Sequence, residues 1–214
     1  MGFLFSAFLW VCLGFLYTNA LEWVIHKHVL HGMGKKKSSF WSFHWSGHHR
    51  ESRKNNFKDS RWDNTPILKD REFLGVIFLT ALHIPTIWMS PVLYLTIVWR
   101  AIAYYRVHKK SHESEEWAKQ NVPWHWDHHM GPRKAVEANW CVSNPFFDNL
   151  MGTRVKYYLT TEYFLDELKR KDKNEYKRML KKLERVPNGT EDSDSILDHI
   201  HAEGESQGDE SCHR

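Results

Sequence analysis

Cysteine is scarce and scattered: the chain has three, Cys12, Cys141 and Cys212, and no CxxC pair. An odd number at such wide separations argues against a disulfide framework and against a cysteine-built zinc finger. It fits a chain whose working face meets a reducing compartment. Lysine and arginine are missing from residues 1–25, so no positive region precedes the apolar run that starts at Phe3, and a cleaved signal peptide is disfavoured. Charge of either sign is missing from residues 73–99. A net charge of +4 over 214 residues is too small to mark a nucleic-acid binder. No internal repeat is visible.

What is present is strongly segregated. Residues 3–25, FLFSAFLWVCLGFLYTNALEWVI, carry a single charge, Glu22, and are long enough to cross a hydrocarbon core of about 30 Å. The opening MGFLFS formally fits a myristoylation pattern through Gly2 and Ser6, but the residues between are apolar and the match carries little weight. Residues 73–105 form a second apolar stretch interrupted by Arg100. As one helix it would be about 50 Å long, too long for one crossing, and Pro85 and Pro91 break helices. The expected form is a hairpin of two short helices turning around residues 85–91, spanning or re-entrant.

Charge sets the orientation. Residues 26–72 carry eleven Lys and Arg, including Lys35, Lys36 and Lys37, against none in residues 1–25 and none in the turn. The positive-inside rule puts 26–72 in the cytoplasm, and the hairpin returns the chain to that side, so residues 106–214 are expected there as well. The sequon Asn188-Gly189-Thr190 is then expected to stay unmodified. Contact of Lys35–Lys37 with anionic headgroups is a lesser use of that run.

The expected architecture is all-α: an integral membrane helical bundle with a cytosolic helical cap that carries a histidine-rich di-metal site. Three regions follow. A membrane domain covers residues 1–155, a charged helical extension covers 156–186, and an acidic tail covers 187–214. The tail has eight acidic residues and one arginine and reads as disordered. His199, His201 and His213 lie in it and are taken as bystanders.

Histidine is the outlier, at 15 residues against 8 tyrosines. Outside the tail it falls into four groups: His26, His28 and His31; His44, His48 and His49; His108 and His112; and His125, His128 and His129. All four adjoin apolar segments and all four are expected on one side of the membrane. Residues three or four apart share a helix face. His44 with His48, His108 with His112, and His125 with His128 and His129 meet that rule. His26 and His31 do not, since five residues on a straight α-helix turn them about 140° apart. Either the helix ends near Gly32 and Gly34 or the two serve different metals, and His28 with His31 is the easier pair. Neutral imidazole suits iron or zinc, and ten histidines exceed one site and suit two. His83, alone in the hairpin, reads as a hydrogen-bonded core residue. Trp41, Trp45, Trp124 and Trp126 fit an interfacial belt, with the lining of a lipid pocket as a second use.

These motifs resemble the fatty acid hydroxylase/sterol desaturase superfamily. Its pattern, HX(3–4)H, HX(2–3)HH, HX(3)H and HX(2–3)HH, is met by His26-KHVL-His31, His44-WSG-His48-His49, His108-KKS-His112 and His125-WD-His128-His129. The segment NWCVSNPFFDNLMGTR, residues 139–154, is similar to the family's Asn, Pro-aromatic-Asp and Gly-Thr ending. The resemblance covers about residues 15–155. It implies that His26, His31, His44, His48, His49, His108, His112, His125, His128 and His129 bind two metals, physiologically iron, with zinc able to occupy purified protein. It selects His26 over His28. The chain has fewer and shorter apolar segments than four-helix members of the family. It carries no fused haem-binding cytochrome domain, so a separate electron donor such as a cytochrome or ferredoxin is expected.

The expected activity is that of a non-haem di-iron monooxygenase. It would use dioxygen to hydroxylate or desaturate an unactivated C–H position in a lipid. Side-chain acid–base chemistry cannot break such a bond, so the metals must do so while the protein orients ligands and keeps the channel dry. Glu22, Glu113 and Asp127 are the expected partners of the outer imidazole N–H groups. A fatty acyl chain or related lipid is the first choice of substrate, with sterol or carotenoid oxidation as alternatives. Two non-enzymatic readings compete. A metal transporter would need histidines strung along the spans, where His83 stands alone. A membrane adaptor would bind no stoichiometric metal. The expected location is the endoplasmic reticulum in a eukaryote or the inner membrane in a bacterium.

Overall fold

The computed structural model describes residues 2–183. The expected acidic tail, its sequon and its three histidines lie outside the described residues. Among the described residues all regular structure is helical and no strand occurs. The chain divides into two compact units, one ending at Lys156 and the other beginning at Tyr157.

The first unit opens with helix α1, Gly2–Val24, 23 residues or about 35 Å. It continues without a break into a π-helix, Ile25–Met33. Gly2–Met33 is long and apolar enough to cross a membrane by length and composition. The apolar hairpin follows the proline logic. Helix α2, Arg71–Leu82, starts where Asp70 accepts the backbone N–H of Glu72 and Phe73 and satisfies two of the free donors of a helix start. A 3₁₀ turn with Pro85 near its start, Ile84–Trp88, reverses the chain. Pro91 then opens helix α3, Pro91–Glu113, at a position where its missing N–H costs nothing. The arms are unequal: α2 has 12 residues and α3 has 23. The second arm runs past the apolar stretch and carries His108 and His112 on its last turns.

Helix α1 lies along α3, and Gly14 permits the approach: a Cβ there would sit 2.7 Å from Thr96 Cγ2. The polar residues at the end of α1 hold the 139–154 segment. Asn19 donates to the Asn144 carbonyl at 2.8 Å and accepts from the Phe147 N–H at 2.9 Å. Trp23 Nε1 donates to Thr153 Oγ1 at 2.9 Å. Glu22 accepts from the N–H groups of Val142 and Ser143 and from the Ser143 hydroxyl. Asp148, fully buried, accepts from the N–H groups of Trp140 and Cys141 and from Thr153 Oγ1. That one carboxylate folds the segment into a closed turn. Two short helices, α4 (Glu115–Asn121) and α5 (Pro123–Met130), complete the face on which the histidines converge.

The second unit contains α6, Thr161–Lys171, and α7, Lys173–Leu183. Phe164 and Met179 form its core, with Tyr163, Leu165, Leu168 and Leu183 packed around them.

Candidate metal centre

Two π-helices decide the local geometry. A π-helix closes i→i+5 hydrogen bonds, so residues five apart fall nearly in line. In Ile25–Met33 this turns His26 and His31 to one side. Their rings lie 4.9 Å apart, and His28 is left outside against Trp23. Of the two alternatives read from straight-helix spacing, the first holds in place, since the helix ends at Met33 between Gly32 and Gly34; the second does not, since His26 and His31 fall in one set. The second π-helix, Phe43–His49, does the same for His44, His48 and His49, so that residues four and five apart both face inward. Gly34 ends the first one, its N–H donating five residues back to Val29 at 3.1 Å.

All ten expected histidines are buried. Their ring nitrogens gather in adjoining sets within which every donor atom lies within 4.8 Å of the others: His48, His108, His112, His125 and His129 in one, His26, His31, His44 and His49 in the other, with His49, His128 and His129 also close. His128 Nε2 is 3.1 Å from His31 Nε2, which joins His128 to the second set. Other facing Nε2 pairs are His26–His44 at 3.0 Å, His31–His49 at 2.9 Å, His48–His108 at 3.1 Å and His112–His125 at 3.0 Å.

The outer nitrogens explain this inward aim. His26 Nδ1 donates to the Trp140 carbonyl at 2.5 Å, His128 Nδ1 to the Ala138 carbonyl at 2.7 Å and His112 Nδ1 to the Phe57 carbonyl at 2.6 Å. A carbonyl oxygen can only accept, so each Nδ1 carries the proton and each inward Nε2 presents a lone pair. Phe57 reaches its place through two successive left-handed residues, Asn56 at φ 49° and Phe57 at φ 72°, a strained arrangement for a bulky side chain. His48 Nδ1 meets Asp59 Oδ2 at 2.6 Å, and His108 Nδ1 meets the Glu72 carboxylate. Arg61 forks onto both oxygens of Asp59.

Burial holds the imidazoles neutral. It pushes His44, His48, His49, His125, His128 and His129 well below 6.5, and neighbouring imidazoles add to the shift. Burial, reinforced by Asp70, pushes the Glu72 carboxyl up to about 8, so a cation held by His108 is what would keep Glu72 ionised.

The interior is thus rich in nitrogen lone pairs. His129 has no partner for either ring nitrogen, and the Nδ1 atoms of His31, His49 and His125 have none. An all-imidazole donor set with orphaned nitrogens fits transition-metal ions of the iron or zinc type.

The expected carboxylate partners fare unevenly. Asp127 is buried and pairs with Arg154 at 3.1 Å. Glu22 serves the 139–154 segment. Glu113 lies half-exposed with its carboxylate 3.9 Å from Lys109 Nζ, so the structure does not bring it to an imidazole. Sequence reading missed Asp59 and Glu72, which sit 11 and 36 residues from the histidines they hold and share no local pattern with them. The tryptophans also depart from a simple belt. Trp126 is buried, and Trp45 packs against His31 and His49. Trp124 donates to the Val142 carbonyl at 2.8 Å. Trp41 lines a cavity. His83 is hydrogen-bonded, accepting from the Tyr17 hydroxyl at 2.6 Å and donating to the Leu79 carbonyl at 2.7 Å.

That cavity, of about 300 Å³, lies between α1, α2 and α3. Its walls are mostly apolar, including Leu21, Ile25, Val76, Leu79 and Ile97, and it reaches the second histidine set at His26 and His44.

The chain matches none of the curated proteins and none of the solved structures with which it was compared. A family model described as fatty acid hydroxylase matches residues 11–153. This is well over half of the 214 residues and takes in all ten histidines together with the cavity. The chain therefore belongs to the fatty acid hydroxylase family.

Proposed function

We propose that the protein is a dioxygen-dependent lipid hydroxylase, or desaturase, whose ten buried histidines hold two iron ions at the cytosolic face of a multi-pass membrane bundle. The observation that carries this reading is the pair of adjoining all-histidine sets at the end of an apolar cavity. His48, His108, His112, His125 and His129 would hold one ion; His26, His31, His44, His49 and His128 would hold the other. Such ions supply redox activation of dioxygen, which no side chain of this chain can supply. Family membership implies oxidoreductase activity on a lipid.

The chain's own residues do the rest. The apolar walls around Val76, Leu79 and Ile97 take up an acyl segment and exclude water. His26 and His44 mark where the substrate carbon must lie. The carbonyls of Trp140, Phe57 and Ala138 fix the imidazole tautomers. Hydroxylation consumes one dioxygen, two electrons and two protons, and yields the alcohol and one water. Desaturation consumes the same and yields the alkene and two waters. Both electrons come from a separate carrier such as a cytochrome or ferredoxin. The outward apolar faces of α1, α2 and α3 support membrane embedding, in the endoplasmic reticulum of a eukaryote or the inner membrane of a bacterium. The acyl chain is the favoured substrate because the cavity is narrow and mostly apolar; sterol and carotenoid remain the competing lipids.

Lipid mass spectrometry on cells with and without the protein tests the proposal. A new lipid heavier by one oxygen or lighter by two hydrogens is expected, absent with His128→Ala. Identical lipid profiles with and without an expressed, metal-loaded protein would sink the reading.

A further inference from the structure

The two histidine sets differ in what stands behind them. In the set of His48, His108, His112, His125 and His129, His48 is backed by the Asp59 carboxylate at 2.6 Å and His108 by the Glu72 carboxylate. Asp59 is fully buried and is fixed in turn by the Arg61 fork. In the other set, the Nδ1 partners of His26 and His128 are the neutral carbonyls of Trp140 and Ala138. A carboxylate behind an imidazole strengthens it as a metal donor and adds negative charge close to a cation; a carbonyl does the first weakly and the second not at all. The sets differ also in position. His26 and His44 line the apolar cavity, whereas no histidine of the His48 set does.

We infer that the two metal positions are unequal: Asp59 and Glu72 make the His48 set the tight, first-filled position, and the His26 set, backed by the carbonyls of Trp140 and Ala138 and lining the cavity, is the weaker one that faces substrate. Asp59 is a positioning residue, since it touches a ligand and does not line the cavity, whereas Glu72 holds His108 and also lines the cavity. The inference rests on the two-metal reading above and gives each ion a separate part. An ion in the His48 set would be held by His108 and His112 of α3 and by His125 and His129 of α5, and would exchange slowly. An ion in the other set would be held by His26 and His44 beside the cavity and would exchange more readily.

The experiment uses the full chain purified in detergent, stripped of metal, and titrated with Co²⁺. Bound cobalt is measured by equilibrium dialysis and the visible absorption of the ion is followed in parallel. Two equivalents in two classes are expected, the first at least about tenfold tighter. Asp59→Asn should weaken the tight class by about 10- to 100-fold and leave the weak class in place. Glu72→Gln should act in the same direction. His44→Ala should remove the weak class and spare the tight one, with its spectrum unchanged. Circular dichroism checks that each variant is folded, and the wild-type titration stands even where a variant fails that check. Two equal sites in the wild-type chain, or a folded Asp59→Asn that shifts both classes together, would overturn the inference and leave the oxygenase reading intact. A wild-type chain that binds no cobalt would overturn both.

Discussion

In the layer formed by α1, α2, α3 and the turn between the last two, many large apolar side chains point outward: Trp88 is 91% exposed and Phe3 79%. In the cap of the same unit, imidazoles are among the most deeply buried side chains, with His48, His108, His125, His128 and His129 at 0%. One region is apolar on the outside, the other polar on the inside. Each arrangement is costly in a water-soluble protein, the first because exposed apolar area of this extent drives association, the second because buried polar groups need partners. Together they are what the proposed function calls for, hydrocarbon around the helices and a cation within the cap. Apolar packing holds the first region together, and hydrogen bonds from the outer imidazole nitrogens order the second.

The comparison can be broken most decisively at the cap. Replacing His128 by Ala should reduce lipid product to background while membrane fractionation still finds the protein embedded. Full turnover in that variant would remove the imidazole core from the account. Acid and chelation come next. Burial keeps His44, His48, His49, His125, His128 and His129 neutral in the folded chain, each well below its ordinary 6.5. The unfolded chain therefore binds more protons as the pH falls below that value. Stability should be flat above it and decline below it by about 1.4 kcal/mol per pH unit for each such histidine. Stripping the metals should cost about 3 kcal/mol or more. Thermal unfolding in detergent at a series of pH values, with and without chelator, reads both; a melting temperature indifferent to pH between 7 and about 5 would contradict the neutral core.

The joint between the two regions is sharpened by Gly34. A Cβ there would lie 1.9 Å from the Leu30 carbonyl and 2.8 Å from that of Trp41, so the backbone that closes the first π-helix must shift. Gly34→Ala should cost about 1–3 kcal/mol and loosen His31, seen as weaker retention of one of two bound metals. The surface should matter least. Lys35 pairs with Glu137 at 2.7 Å, both more than a third exposed, and Lys35→Ala should change stability by less than about 1 kcal/mol. Glu113→Gln should change metal content and turnover hardly at all, because its carboxylate lies beside Lys109. A large loss there would restore Glu113 to the site.

How much of this was legible beforehand depends on the range of each interaction. The helix in residues 3–25, the hairpin break between Pro85 and Pro91, and the identity of the ten histidines follow from hydropathy, proline chemistry and spacing, all local in the chain. The His26–His31 pair was legible as a motif but not as a geometry. The π-helix that aligns it is a rare variant of helical hydrogen bonding, and propensity alone does not announce it. Asp59 and Glu72 were not legible at all. An isolated aspartate in KDS and a glutamate in DRE look like any solvated charge until the fold closes.

The sequence alone determined the chemistry available: ten imidazoles in four clusters, set beside stretches that water does not favour. Only the tertiary structure decided how that chemistry is divided. It brought Asp59 to His48 and Glu72 to His108, left His26 and His44 to the cavity, and sent Glu113 to the surface. The reason is physical. Residue type and short spacing are fixed by covalent order, whereas the partner of an imidazole's outer nitrogen is chosen by contacts between segments as far apart as 114 residues, as His26 and Trp140 are.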